Sequence, residues 1–308
     1  MDLSNSETTS CEKLMKYYSN NVSFRSKYRR QTFPFRDTII RYITQNPSSA
    51  KVYQKMIQSC KHFFIKNPII IVQELYSGTK GWYTQKSRSW KNHPNDRYVD
   101  LNELTSKIWI TDSLVVCGRC TPNWLVIYQC DAKSIVIHDQ ILSFNDLMVI
   151  ASKCEKLFLS NVVIMKNDDI VPETEEDAVS LEALLKALPN VKSFTYHLRE
   201  NSLNIITSKT VEELLKIPHF LSLNIFQITE IPEIFDIETF YCHIKENKKT
   251  KTELYFSDQI SDEFKIRLQT IVDEILETKN RDYKVPYFGF SGMTRSSHDK
   301  MCALCRQI

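Results

Sequence analysis

Glycine is scarce in this chain. Its 308 residues include five, Gly78, Gly81, Gly118, Gly289 and Gly292, against an average usage of roughly 7%. No G-x-G-x-x-G fingerprint or P-loop can be assembled from them, which excludes the usual phosphate-cradling nucleotide sites. Long apolar runs are missing too. Pro68 to Val72 is among the longest, far short of the roughly 20 residues a membrane span needs, so no membrane partner is expected. The opening MDLSNSETTSCEK lacks a basic stretch followed by an apolar core and does not read as a secretory signal. Formal net charge is only +3, which makes no case for a nucleic-acid binder on global electrostatics.

Catalytic spacings are also lacking. The seven histidines show no H-x-x-x-H or H-E-x-x-H pattern, and there is no G-x-S-x-G elbow. No carboxylate pair stands in an identifiable motif. The reading is of no enzyme, with no catalytic residues and no cofactor. His138, at the end of a β-rich run, reads as a hydrogen-bonded sheet residue rather than a general base.

Nine cysteines, an odd number set mostly in apolar or amphipathic segments, read as reduced thiols of a cytoplasmic or nuclear protein. Two C-x-x-C pairs occur, Cys117/Cys120 and Cys302/Cys305, the second near His298. Four thiolates can hold a tetrahedral zinc, but roughly 180 residues separate the pairs, and zinc ribbons keep theirs within about 20. A redox motif wants a strand-to-helix junction, and Pro122 just past Cys120 argues against a helix there. No metal site is expected.

What is present begins with Phe33 to Tyr76. Pro34 suits a first helical turn. Ile39, Ile40 and Ile43 recur at helical spacing until Asn46-Pro47-Ser48-Ser49 stops the helix and offers a new N-cap. Val52, Tyr53, Met56, Ile57 and Cys60 form a second apolar face, and Asn67-Pro68 breaks the chain before Ile69 to Val72. Three short segments cannot enclose all these side chains. Some of Phe33, Phe35, Ile40, Ile57, Phe63 and Phe64 are expected to stay exposed unless a partner or the rest of the chain covers them.

This order resembles the F-box, and more closely the divergent F-box-like N-terminal modules of the large nematode families. It comprises Phe-Pro-Phe, an Ile-rich helix, a break, a second helix ending in Gln58-Ser59-Cys60-Lys61-His62-Phe63-Phe64, and an apolar segment. Phe33-Pro34 stands where the family usually has Leu-Pro, and Cys60 to Phe63 where it has a cysteine and an aromatic. The resemblance covers about forty-five residues. It implies a three-helix module that docks on the Skp-type adaptor of a cullin–RING ubiquitin ligase. Phe33, Pro34, Ile40, Ile43, Ile57, Cys60 and Phe63 would then face the adaptor.

The rest divides by composition. Residues 1–30 form a polar arm with a basic cluster, 31–76 the helical module and 77–103 a connector. Residues 104–278 form an α/β platform and 279–308 an extended or partly disordered tail. The connector interleaves Trp82 and Trp90 with Lys80, Lys86, Arg88, Lys91 and Arg97. Such a mixture can grip single-stranded nucleic acid by stacking; a linker pinned by its tryptophans is the simpler reading.

From about Leu104, β-rich runs alternate with helical ones. Leu188-x-x-Val191-x-x-Phe194-x-Tyr196 and Ile217-x-x-Phe220-x-x-Leu223-x-Ile225 share the L-x-x-L-x-x-L-x-L pattern of leucine-rich repeats. Ile135-x-Ile137, Leu157-x-Leu159 and Leu254-x-Phe256 share its last step. An ordinary α/β domain without true repeats is the alternative. A stack of irregular repeats agrees with the nematode F-box-like families, many of which carry a degenerate repeat region after the module. Each unit would bury one strand face and one helix face against its neighbours. On the open sheet face stand Val136, Phe158, Thr195, Asn224 and Tyr255, a mixture suited to binding a target protein. Lys166 to Glu182 is rich in acids and reads as a solvated loop. The expected protein is thus a recruiting adaptor. The alternative is an interaction scaffold whose N-terminal helices only cap the repeats.

Overall fold

A computed structural model describes residues 32–78, 81–84, 97–101, 103–118, 124–166, 177–199 and 205–306. The chain is mixed α/β. It divides into two compact units, one ending at Ala132 and the other beginning at Lys133. The N-terminal arm lies outside the described residues. So do Lys80, Trp90 and most basic residues of the connector, Cys120 of the first thiol pair, and most of the acidic stretch.

The first unit opens with three helices, α1 (Asp37–Gln45), α2 (Ala50–Ser59) and α3 (Lys61–Lys66). Ser49 is the N-cap of α2, its hydroxyl accepting from the Val52 N–H at 3.2 Å. The sulfur of Cys60 does the same for α3, accepting from His62 N at 3.4 Å. Asn67-Pro68 then releases the chain into β1 (Ile69–Gly78), followed by β2 (Gly81–Thr84), β3 (Arg97–Val99), β4 (Lys107–Val116) and β5 (Ile127–Cys130). Their order is β3-β2-β1-β4-β5. β1 runs parallel to β4, with Ile69 to Val72 opposite Lys107 to Ile110, and antiparallel to β2. The strands of the expected platform thus pair with the end of the expected module, and part of the expected connector is sheet. Trp82 is buried in β2. Gly81 opens that strand at φ 133°, where a Cβ would come within 2.6 Å of the Tyr98 ring.

In the second unit the strands are β6 (Ser134–His138), β7 (Ile141–Ser143), β8 (Lys156–Ser160), β9 (Val163–Met165), β10 (Ser193–His197), β11 (Ile225–Ile231), β12 (Lys251–Phe256) and β13 (Tyr287–Gly289). Six of them form a sheet in the order β6-β8-β10-β11-β12-β13, every neighbouring pair parallel. β7 and β9 make a separate parallel pair. The helices are α4 (Phe144–Ala151), α5 (Leu181–Ala187), α6 (Thr210–Leu215), α7 (Ile237–Glu246), α8 (Asp262–Glu277) and α9 (Arg295–Arg306). When strand order follows chain order and crossovers are right-handed, every connecting helix falls on one face. The burial agrees. Ile137, Leu159, Tyr196, Ile228, Leu254 and Phe288 stand in register across the six strands and are all buried. Helix side chains lie on this row and its neighbour: Phe240 packs on Phe226 at 5.8 Å between ring centroids, and Tyr241 on Phe288 at 6.2 Å.

Two expectations need correction. The tail is ordered, since residues 279–308 contain β13 and the twelve-residue α9. β13 extends the sheet, Met301 is fully buried, and the Thr294 hydroxyl accepts from Ser297 N at 3.1 Å to cap the helix. The other correction is of register. The expected strand Phe220 to Ile225 is a 3-10 turn, Phe220–Ser222, followed by β11. Phe194 and Tyr196 pair with Phe226 and Ile228, not with Leu223 and Ile225. The repeat therefore aligns three residues later than the apolar spacing suggests. Phe220 is consumed in closing the turn, its ring 5.0 Å from that of Phe226.

Candidate interaction surface

Each unit exposes one surface suited to contact, and each is taken alone. In the first unit, α1 has more apolar residues than one helical stripe can bury. Ile40 and Thr44 turn inward, the Thr44 hydroxyl donating to the Ile40 carbonyl at 2.6 Å. Ile39, Tyr42 and Ile43 turn outward. Tyr42 is 68% exposed and Ile43 40%. Phe35, just before the helix, is 60% exposed, and Val52 on α2 is exposed as well. Several large apolar side chains left exposed on one short segment are the usual mark of a contact site.

The inner side of α2 explains why the helices stay in place. Tyr53 is fully buried in a cluster with Ile69 and Trp109, against which Ile57 packs. Its hydroxyl donates to the Asn67 carbonyl and accepts from Ile69 N at 3.3 Å. Burial pushes that phenol up to about 12. Trp109 in turn donates from Nε1 to Asp131 Oδ2 at 2.7 Å.

The seven adaptor-facing candidates therefore separate. Pro34 and Ile43 are exposed. Phe33, Ile57 and Phe63 are half-buried, the Phe33 ring leaning on His62 at 5.0 Å and on Phe63 at 5.8 Å. Ile40 and Cys60 are 7% and 9% exposed and offer almost no surface to a partner. Both face inward because α1 and α3 need them for the packing of the unit itself. Tyr42 and Val52 were not among the candidates. The signal that could have found Tyr42 is the arc of α1: residues 39, 42 and 43 lie on one side of a helical wheel, residue 40 on the other.

The second surface is the sheet face of the second unit opposite its helices. Val136, Phe158 and Thr195 stand in register across β6, β8 and β10. Thr195 is nearly covered, while Val136 and Phe158 are half-exposed. The row continues through Gln227, Glu253 and Tyr287. Asn224 does not belong to it, lying before β11 with its N–H on the Lys192 carbonyl at 2.7 Å. Tyr255 lies on the same face but one step along, opposite Gly289. The register error noted above displaced Asn224; Tyr255 is displaced by two residues in β12, where Leu254 rather than Phe256 pairs with Ile228.

At one end of this face Phe158 sits between two imidazoles, 5.4 Å from His138 and 4.9 Å from His197. The His197 Nε2 is buried without a partner among the described residues. Burial, and then the neighbouring His138, hold His197 below the usual imidazole range. At the other end Glu155 bridges Lys133 at 3.4 Å and Lys192 at 2.8 Å, and the two lysines hold its carboxyl below the usual range. Beside the last strands lies α9. Its His298 ring is 6.3 Å from the Tyr287 ring, and its Cys305 thiol is pushed up to about 11 by burial.

Chemically the face offers apolar, hydroxyl, amide, carboxylate and imidazole groups. Among the described residues no group of three or more His, Cys, Asp or Glu is placed to hold a metal ion. Cys302 and His298 approach to 3.8 Å on α9. No described helix is long and apolar enough to cross a membrane. Comparison with known proteins adds no identity: no family model, no curated protein and no solved structure matches the chain.

Proposed function

We propose that this chain is a non-enzymatic recruiting adaptor. Its N-terminal helices form an F-box-like module that docks on a Skp-type subunit of a cullin–RING ubiquitin ligase. Its second unit is a leucine-rich-repeat-like platform whose open sheet face holds a target protein. The observation that carries the reading is the set of uncovered apolar side chains on and beside α1 and α2, namely Phe35, Ile39, Tyr42, Ile43 and Val52. A monomer that kept these to itself would gain nothing from them, whereas a partner groove would remove them from water. The regular rows of the second unit supply an extended face of mixed side chains, fit for positioning a partner.

The test uses the full chain and a recombinant Skp-type adaptor. Tyr42→Asp with Ile43→Asp is expected to abolish co-purification while the thermal midpoint stays within a few degrees of the parent. Failure of the unaltered chain to bind the adaptor would remove the ligase role.

A second reading has its own support. The Tyr53 hydroxyl and the Tyr53–Ile69–Trp109 cluster tie α2 to β1 and β4, as a cap would be tied. On that reading the helices shield the end of the first sheet, and the protein is a scaffold without a ligase. Fragments of the helices alone cannot decide between the two readings, because β1 would lose its partner β4. Binding by the whole chain can.

A further inference from the structure

We infer that the partner of α1 and α2 is a protein whose docking surface is an apolar face rimmed by carboxylates. This deepens the docking reading above and rests on it. Residues 33–66 hold six lysines and arginines and a single acid, Asp37. Their net charge of +5 exceeds the +3 of the whole chain, so everything else sums to −2.

The cations stand beside the uncovered apolar groups. Arg36 adjoins Phe35 and precedes Ile39 by three residues. Lys55 follows Val52 by three and Lys51 by four, the spacings that make helix neighbours. Arg36, Lys51 and Lys55 are all exposed, and none makes an ion pair among the described residues. In the second unit several exposed lysines are matched by the chain's own acids, as in Lys216 with Glu212 at 2.6 Å and Lys248 with Asp282 at 2.6 Å, while others, Lys186 and Lys300 among them, make no ion pair among the described residues. Cations left unmatched around an apolar centre are the complement of an acidic rim.

The apolar groups favour a protein over a nucleic acid. Beside the aromatic Phe35 and Tyr42 stand the aliphatic Ile39, Ile43 and Val52, which give bases nothing to stack on, whereas single-strand grooves rely on aromatic platforms. Aliphatic groups at the middle and charges at the border is the anatomy of a protein interface. Rim charges act mainly on the encounter, so their signature is an association rate that falls with salt.

The experiment measures association and dissociation rates of the full chain with the recombinant Skp-type adaptor at roughly 50 and 300 mM NaCl. Lys51→Glu/Lys55→Glu is compared with the parent. Because both lysines are solvated, the variant is expected to fold; circular dichroism checks this, and Lys51→Gln/Lys55→Gln serves in its place if it does not. The expected result is an association rate on the order of tenfold lower in high salt and in the charge-reversed variant, with dissociation changed much less. Equal rates in both salts and in the variant overturn the acidic rim and leave the docking reading standing. No binding by the parent overturns the docking reading and the inference with it. A fluorescent single-stranded oligonucleotide bound through the same lysines with a steep salt slope would assign the patch to nucleic acid instead.

Discussion

The hydroxyl of Tyr53 accepts a hydrogen bond from the backbone N–H of Ile69 at 3.3 Å, fastening the second helix to the first residue of the first strand. The same hydroxyl donates to the Asn67 carbonyl, so one side chain satisfies the backbone where helix gives way to sheet. Tyr53→Phe keeps the ring and deletes both bonds. It is expected to cost about 1–3 kcal/mol, because the groups left behind are shielded from water. Urea unfolding measures this, and a loss under about 0.3 kcal/mol would mean that the contact does not hold the helices.

Neighbouring residues on α1 should behave as opposites. Ile40→Asp places a charge at a buried position and is expected to unfold or severely destabilise the first unit, by about 3 kcal/mol or more. Ile39→Asp, one residue earlier but exposed, is expected to stay within about 0.5 kcal/mol. Thermal melts of the two variants check the assignment of the outward arc. Equal destabilisation would place residue 39 in the core.

The register of the second unit can be read by truncation. Phe226 stacks on Phe194 at 6.2 Å with an interplanar angle of 16° and is fully buried. Phe226→Ala is expected to cost about 3–5 kcal/mol. Asn224→Ala, exposed and before the strand, should cost about 0.5 kcal/mol or less. A reversed ranking in denaturant titrations would restore the earlier alignment.

Acid should weaken the fold through its histidines. His62, His197 and His243 are each held below the ordinary value of 6.5 with burial as the leading cause, helped in His62 by Lys66 and in His197 by His138. A group whose pKa is lower in the folded state binds fewer protons there than in the unfolded chain. Its contribution is therefore complete above about 6.5 and is lost as the pH falls through that value toward the folded one. The unfolding midpoint is expected to drop between pH 7.5 and 5.5, and His197→Gln should make the drop shallower. A midpoint flat across that range would contradict the lowered values.

Thiol reactivity should sort by burial. Cys242 is exposed, whereas Cys60, Cys130 and Cys154 are buried, and burial pushes the Cys130 thiol up to about 11. Of these four, brief alkylation at neutral pH followed by peptide mapping is expected to label Cys242 first. Early labelling of Cys130 would show that β5 opens readily.

Much of this architecture was legible in the amino-acid order, because its signals are local. Apolar spacing, Ser49 and Asn67-Pro68 mark the helices and their ends, although α1 begins at Asp37, beyond the first turn expected at Pro34. β-branched runs mark β4 and β6, and the Leu157-Phe158-Leu159 run marks β8. The absence of glycine motifs and metal spacings is likewise a property of composition. What the order of residues left open is which of several apolar side chains turns inward, since neighbouring positions on α1 differ by only a rotation about the helix. Three-dimensional packing settled that choice: Ile40 went to the core, while Ile39, Tyr42 and Ile43 stayed in water. It also settled the pairing of Phe194 with Phe226, where two apolar spacings competed and both Leu223 and Phe226 end up buried. Pairing between distant strands, such as β1 with β4, has no local signature at all, because it depends on groups some forty residues apart meeting in the fold.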